Sequence, residues 1–391
     1  MKTSNYPAFY DVFPLSINRQ GEELCGDQVK VLRTPQKTII VLSDGLGSGV
    51  KANILARLTT AIIVSMIRAE ASLQEVIETV VGTLPICKVR KIAYATFIII
   101  EIEHQTGQFK VINFDSPNAF FLKKGKLHRL NQKTDTIQGK QLSISEGLLE
   151  EGDFLGAISD GVLYAGMGVT TNFGWGWDQI GKFLEGASIL HSNGPDALVK
   201  SLIQKTQSLY GNQVGDDATV VGIVVRRPHR LMVFTGPPLE KSSDKDCVER
   251  LLKFEGRKIV CGGTTGNIVA EYLGQVIDTD ISTLREDVPP IGKLPDIDLL
   301  TEGILTLAKT LQLLVECKGV VEEIPNERHG ATLLTRELLE ADSIFFLAGE
   351  KVNPFYQNPL LPRSVSIRRS VLDQIVEVLN NYHKEVTVEW C

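Results

Sequence analysis

An apolar run that ends in Ser-Asp-Gly occurs twice in this chain, and it limits the fold more than any other feature. Thr38-Ile39-Ile40-Val41-Leu42 leads into Ser43-Asp44-Gly45-Leu46-Gly47-Ser48-Gly49, and Phe154-Leu155-Gly156-Ala157-Ile158 leads into Ser159-Asp160-Gly161-Val162. Each run is short, apolar and closed by turn residues, which predicts a buried strand with a carboxylate at its end. Two more acidic motifs, Cys25-Gly26-Asp27 and Gly215-Asp216-Asp217-Ala218-Thr219, flank them in the chain. Carboxylates at strand ends can converge although they are remote in sequence, and converging carboxylates suit hard divalent cations.

Each motif also has an ordinary reading. Asp-Gly is a common hairpin turn, and two acids before a strand are commonly solvated. Adjacent carboxylates repel one another unless a cation or a proton relieves them. The Gly-rich stretch after Asp44 lacks the Gly-Lys-Ser/Thr ending of a phosphate-binding Walker loop. The four motifs together carry more weight than any one alone.

With 391 residues the chain exceeds one ordinary core, so two domains are expected. Hydrophobic content of 43% and charged content of 23% describe a soluble globular protein. A net charge of −6 argues against a nucleic-acid partner held by a broad basic surface. The start, Met1 to Pro7, has no apolar core of signal-peptide length, and runs such as Ile98-Ile99-Ile100 are far too short to span a membrane. Cysteines at 25, 87, 247, 261, 317 and 391 form no Cys-x-x-Cys pair, which predicts free thiols in a reducing cytoplasm. Histidines at 104, 128, 191, 229, 329 and 383 show no metal-ligand spacing and read as structural or surface residues.

The expected boundary lies near residue 228, where the strand Ala218–Val225 gives way to Arg226-Arg227-Pro228-His229-Arg230. Residues 1–228 mix strands with helical patterns. Ala52–Arg68 has helical apolar spacing, and Ser72 with Glu75 forms a capping-box pattern before Val76, Ile77 and Val80. Hairpins are expected for Ala95–Ile102 with Phe109–Phe114, and for Phe120–Leu122 with Leu127–Leu130. Hairpins imply antiparallel sheet with helices packed on it, an α+β layered domain. Residues 229–391 alternate more regularly. Strands are expected at Leu231–Phe234, Lys258–Cys261, Gln275–Ile277 and Ser343–Leu347, and helices at Asp246–Phe254, Asn267–Tyr272, Ile297–Val315 and Arg369–Asn380. That pattern predicts a second, smaller α/β domain with some parallel sheet.

In their order, Asp27, Asp44-Gly45 with Gly47 and Gly49, Asp160-Gly161 and Asp216-Asp217-Ala218-Thr219 resemble the motifs of metal-dependent serine/threonine protein phosphatases, and among these the bacterial SpoIIE-type branch. The resemblance covers about residues 15–226. It implies a four-layer α/β/β/α sandwich with two Mn²⁺ or Mg²⁺ ions at one end. Asp44 would bridge the ions and the Gly45 carbonyl would ligate one. Asp160 and Asp216 would complete one site, and Asp27 would serve the other. Asp217 is left open as a partner of, or substitute for, Asp216. Many eukaryotic relatives carry a phosphate-gripping Arg shortly before the first acid. Arg19 stands eight residues before Asp27, and that role is not carried over to it.

The resemblance implies in-line hydrolysis of phosphoserine or phosphothreonine by a metal-activated water, with a phosphorylated regulatory protein as substrate. A phosphatase-like scaffold with little turnover, which senses a ligand through residues 229–391, is the alternative. Thr171-Asn172-Phe173-Gly174-Trp175-Gly176-Trp177 reads either as a substrate-facing wall or as an anchor for the following helix, and the anchor is favoured. In the second domain, Gly262, Gly263, Thr264 and Thr265 form a Gly-rich turn between a strand and a helix. Such a turn either holds a small anion on its backbone amides or serves close strand-to-helix packing. A third reading, a nucleotide-binding enzyme centred on that turn, would make the N-terminal acids incidental.

Overall fold

The computed structural model describes residues 8–34, 36–83, 95–190, 195–211, 213–351, 367–382 and 384–391. Cys87, His191, His383 and the Met1–Pro7 start lie outside the described residues. The chain divides into two compact units, Met1–Arg227 and Pro228–Cys391.

The first unit opens with β1 (Phe9–Ile17), β2 (Asp27–Arg33), β3 (Lys37–Gly45), α1 (Gly49–Arg68) and α2 (Leu73–Thr83). Seven strands follow: β4 (Ala95–Glu103), β5 (Gln108–Phe114), β6 (Phe120–Lys123), β7 (Lys126–His128), β8 (Gln132–Ile137), β9 (Lys140–Leu148) and β10 (Phe154–Ile158). Then come α3 (Asp160–Leu163), α4 (Trp177–Leu190), α5 (Pro195–Leu209) and β11 (Ala218–Arg226). One sheet has the order β1-β11-β10-β6-β7 and the other β2-β3-β4-β5-β9-β8. Every pairing in both is antiparallel.

Alternation along the strands builds the layers, because successive side chains leave opposite faces. In β3, Ile40 and Leu42 pack between the sheets with Ile98, Ile100, Leu155, Val221 and Ile223. Their neighbours Ile39 and Val41 pack against Ile63 of α1 and Val76 and Val80 of α2. Phe154, Ile158 and Val220 of the other sheet meet Ile180 and Leu184 of α4 and Val199 and Leu202 of α5. The result is an α+β fold, a four-layer α/β/β/α sandwich. Burial on both faces explains why these strands read as unbroken apolar runs rather than as alternating ones.

Local chemistry agrees with the layers. The Ser72 hydroxyl accepts the Glu75 amide (3.3 Å) while Glu75 Oε2 accepts the Ser72 amide (2.8 Å), closing the capping box at the start of α2. By length and composition α1 is apolar enough to cross a membrane, yet its Ala52, Ala56 and Ile63 face is buried against the sheet.

The second unit contains β12 (Arg230–Thr235), α6 (Asp244–Lys253), β13 (Arg257–Cys261), α7 (Gly263–Leu273), β14 (Asp278–Asp280), β15 (Ile291–Leu294), β16 (Ile297–Thr301), α8 (Ile304–Glu316), α9 (Gly330–Glu340), β17 (Ser343–Ala348), α10 (Ile367–Asn381) and β18 (Glu385–Trp390). Its sheet runs β14-β15-β16-β13-β12-β17-β18, and the five strands from β16 to β18 are parallel. Residues from α8, α9 and α10 cover one face and residues from α6 and α7 the other.

Two sequence expectations differ from this unit. Ile297–Val315 is not one helix: Ile297–Thr301 is a strand parallel to β13, and the helix starts after Glu302-Gly303. Leu299 and Leu300 face opposite helix layers, and a strand buried on both sides has the same apolar run as a buried helix. Gln275–Ile277 is a connection rather than a strand, with Val276 89% exposed, and the short edge strand follows it. No sequence expectation covered α9 or β18.

Truncating Ile223→Ala between the two sheets should lower unfolding free energy by about 2–5 kcal/mol. Val31→Ala on a partly exposed strand position should change it by less than about 0.5 kcal/mol. Chemical denaturation of the two variants checks the assignment of the inter-sheet core.

Candidate metal centre

Strand register brings the four acidic motifs to two adjoining sheet ends. Asp27 at the start of β2 lies opposite Asp44 at the end of β3. In the other sheet Ile158 of β10 pairs with Val220 of β11, so Ser159-Asp160 and Asp216-Asp217 lie just beyond that pair. The Ser159 amide donates to the Thr219 carbonyl (2.9 Å), and the Thr219 amide donates to Ser159 Oγ (2.9 Å). The segment between β1 and β2 ties the sheets together here. Its Arg19 amide donates to Asp217 Oδ1 (3.0 Å), and Cys25 Sγ lies 4.0 Å from Thr219 Oγ1.

The glycines beside the acids are required by close packing. A Cβ on Gly45 would run into the carbonyl of Ala52 in α1, and one on Gly161 would run into the carbonyl of Asp217. Strand, helix and loop backbones therefore touch where the carboxylates gather. The Tyr210 hydroxyl, at the end of α5, donates to the Gly161 carbonyl (2.7 Å).

The carboxylates sense one another strongly. Burial first, then the charges of Asp217 and Asp160, push Asp27 up to about 7 against the opposing Ser159 and Thr219 hydroxyls. Burial, then Asp27 and Asp160, hold Asp44 far above the ordinary carboxylate range. Burial raises Asp160 as well, while its hydrogen bond with Asp44 opposes the rise. Asp44 and Asp160 thus lie close enough to share a proton. Burial and then Asp160 push Asp216 up to about 6, with the Arg19 charge acting in the other direction. Neither oxygen of Asp27, nor Oδ2 of Asp217, has a hydrogen-bond partner of normal geometry, although all three are buried.

Such orphaned, mutually repelling oxygens fit hard divalent cations in donor type and in charge. The cluster is not preassembled: among the described residues no group of three or more His, Cys, Asp or Glu side chains stands in metal-holding geometry. Asp217 is tied by one oxygen to Arg19, whereas Asp216 is half-buried and feels Asp160 most strongly among the acids.

Several contacts around the acids carried no sequence signal. Arg19 Nη1 donates to Ser48 Oγ (3.3 Å), which donates to Glu22 Oε1 (3.1 Å). Asn53 Nδ2 of α1 donates to the Cys25 carbonyl (2.6 Å). These partners are 26 to 29 residues apart, beyond the reach of any local pattern. Trp175 is buried edge-on to Phe183, and Trp177 stacks on Phe120 while its Nε1 donates to the Asn118 carbonyl (3.0 Å). Both indoles fasten the start of α4. Gly262, Gly263, Thr264 and Thr265 belong to the second unit, where Gly262 alone links β13 to α7 and Gly263, Thr264 and Thr265 form the first turn of that helix rather than a Gly-rich turn before it.

The family model described as Stage II sporulation protein E (SpoIIE) matches residues 34–226. The first unit carries a SpoIIE-family domain. Among solved structures, the chain is similar to the PP2C phosphatase domain with a fragment of the regulatory domain of SpoIIE from Bacillus subtilis. The two are 18% identical over 57% of this chain and 64% of that one, with a TM-score of 0.49. It is also similar to the RsbU and RsbW domains of a Mycobacterium tuberculosis protein, at 15% identity over 63% of this chain and 68% of that one, with a TM-score of 0.48. RsbX in complex with magnesium is 17% identical, over 57% of this chain and 98% of that one, with a TM-score of 0.42. No curated protein matches the chain. The match to the SpoIIE family begins at β3 and so spans three of the four acidic motifs, with Asp27 just before it.

Two measurements probe the SpoIIE-family domain. Asp27 and Asp216 sit above the usual carboxylate value of 3.8, so the stability tied to their protons is complete below that value and is lost as pH rises through about 6 to 7. In chelator, the melting temperature should therefore be higher at acidic than at neutral pH, and added Mn²⁺ should restore it at neutral pH. A flat profile in chelator would contradict the clustering. Gly161→Ala should cost about 1–3 kcal/mol in denaturant unfolding, because a backbone carbonyl has to move.

Proposed function

We propose that this protein is a Mn²⁺- or Mg²⁺-dependent phosphatase that hydrolyses phosphoserine and phosphothreonine in a phosphorylated regulatory protein. The observation that carries the reading is the gathering of buried carboxylates: Asp27 lies opposite Asp44, its oxygens lack a hydrogen-bond partner of normal geometry, and the charges of Asp27 and Asp160 add to burial in raising Asp44. At neutral pH such a cluster is relieved by cations. Membership of the first unit in the SpoIIE family supports the same chemistry.

Asp44 would bridge two cations, with the Gly45 carbonyl beside it. Asp160 and Asp216 would complete one site and Asp27 the other. When bound, two such ions supply a water acidified toward neutrality and neutralise phosphoryl oxygens for in-line attack. The chain's own residues hold that arrangement in place. The Ser159–Thr219 bonds fix Asp160 against β11, and the Arg19–Asp217 bond fixes the loop that carries Asp27. On this reading Asp217 would position that loop through Oδ1 and Asp216 would be the ligating acid of the two. The second unit would regulate the phosphatase or select its partner.

A second reading, a sensing scaffold with little turnover, draws on the absence of a ready-made three-carboxylate site among the described residues. One assay separates the two: Mn²⁺-dependent phosphate release from an aryl phosphate and from a phosphoserine protein. Asp44→Asn and Asp160→Asn should each lower kcat/KM by more than the roughly 10- to 100-fold typical of outer-shell partners. Asp217→Asn, whose amide oxygen can still accept the Arg19 bond, should stay within that range. No metal-dependent release from the wild type, with metal binding confirmed, would leave the scaffold reading standing.

A further inference from the structure

The parallel strands of the second unit end at one edge of their sheet, and the strand order reverses at β12. From β12 the chain builds outward to β13 and β16 on one side and to β17 and β18 on the other. Open sheets of this kind bind ligands beyond the carboxyl ends of the strands at the reversal. There β12 ends at Thr235 and β17 at Ala348, and next to β12 the strand β13 ends at Cys261, followed by Gly262 and the start of α7 at Gly263.

Gly262 has φ +139°, a conformation that favours glycine. The space a Cβ would take at Gly262 is bounded by Thr265 Oγ1 (3.0 Å) and by the Gly236 amide nitrogen (3.9 Å). Thr235 and Thr265 are fully buried; the Thr235 hydroxyl has only the Cys261 thiol beside it, and the Thr265 hydroxyl has no hydrogen-bond partner. Buried hydroxyls are normally satisfied, so the Thr265 orphan at this sheet end calls for an absent partner. Thr265 also lies in the first turn of α7, where unpaired amides and the helix dipole favour an anion.

Arg368, near the start of α10, brings a cation to the same edge. Its Nη1 donates to the carbonyls of Gly349 (3.0 Å) and Lys351 (3.3 Å), just after β17, and its guanidinium fills the space beside Gly236. Those two bonds leave the Nε and Nη2 donors of a five-donor group. The guanidinium meets neutral carbonyls here, which suits a fork that pairs with phosphate. Glu302, just after β16, reaches the same turn, with Oε1 2.8 Å from where a Cβ on Gly263 would lie. A carboxylate in that position suits a ligand that offers hydroxyls as well as an anion.

We propose that this edge binds a phosphate monoester of a hydroxylated sugar. The Thr265 hydroxyl, the first amides of α7 and Arg368 would take the phosphate, and Glu302 would accept from sugar hydroxyls. The chemistry is shared by nucleoside monophosphates and simple sugar phosphates. The site stands independently of the phosphatase reading, because none of its residues belongs to the first unit.

Amide hydrogen exchange of the full chain tests it, in chelator so that the carboxylate cluster cannot hold phosphate through metal. The probes are AMP, glucose 6-phosphate and inorganic phosphate at millimolar concentration. Saturable protection of amides in residues 262–270 by AMP or by glucose 6-phosphate is the expected result, and the stronger of the two identifies the source. Thr265→Val keeps the side-chain shape and removes the hydroxyl, and Arg368→Gln removes the charge. Each should weaken the protecting ligand by about tenfold or more, roughly 1.4 kcal/mol. Absence of protection by both sugar phosphates would overturn the proposal. So would protection of undiminished strength in both variants, or inorganic phosphate binding as tightly as the sugar phosphates.

Discussion

Five carboxylates are held near one another against their own repulsion, and the rest of the first unit is arranged to hold them. Asp27 and Asp44 face each other across a strand pair, while Asp160 and Asp216-Asp217 project from the end of the other sheet. Left in water these groups would separate. The apolar layer between the sheets, with Ile40, Ile98, Leu155 and Val221 at its centre, keeps both sheet ends in register. Burial that stabilises the sandwich thus raises the cost of charging the cluster, and a cation is the natural means of relieving it.

The glycines explain how so much backbone reaches one place. Gly45 lies against the Ala52 carbonyl and Gly161 against the Asp217 carbonyl, so the end of β3 meets α1, and α3 meets the entry to β11, without side chains between them. Ser159 and Thr219 then join β10 to β11 beyond their last strand pair. Small movements of α1 would be felt directly at Asp44, because the contact is backbone to backbone. The second unit solves a different problem. Its parallel strands gather loop ends at one edge, where buried threonines and an arginine lie beside a glycine turn.

Much of this was legible before folding. The Ser-Asp-Gly endings located Asp44 and Asp160, and the capping box located the start of α2, because those signals are local. Ile297–Val315 was misread because Leu299 and Leu300 are both buried, on opposite faces, and such a run has no periodicity to distinguish strand from helix. Asn53 and Tyr210 escaped notice, and the contacts of Arg19 and Ser48 could not be read, because their partners lie tens of residues away.

The sequence by itself determined which residue types stand at the strand ends and in what order, since turn chemistry and apolar runs are properties of neighbouring residues. That was enough to indicate carboxylate chemistry and a layered α+β fold. Only the tertiary structure decided which oxygens are buried without partners, that Asp217 is tied to the Arg19 amide, and that the Thr265 hydroxyl is orphaned beside Gly262. Desolvation and partnering depend on what packs from elsewhere in the chain, and no local pattern encodes that.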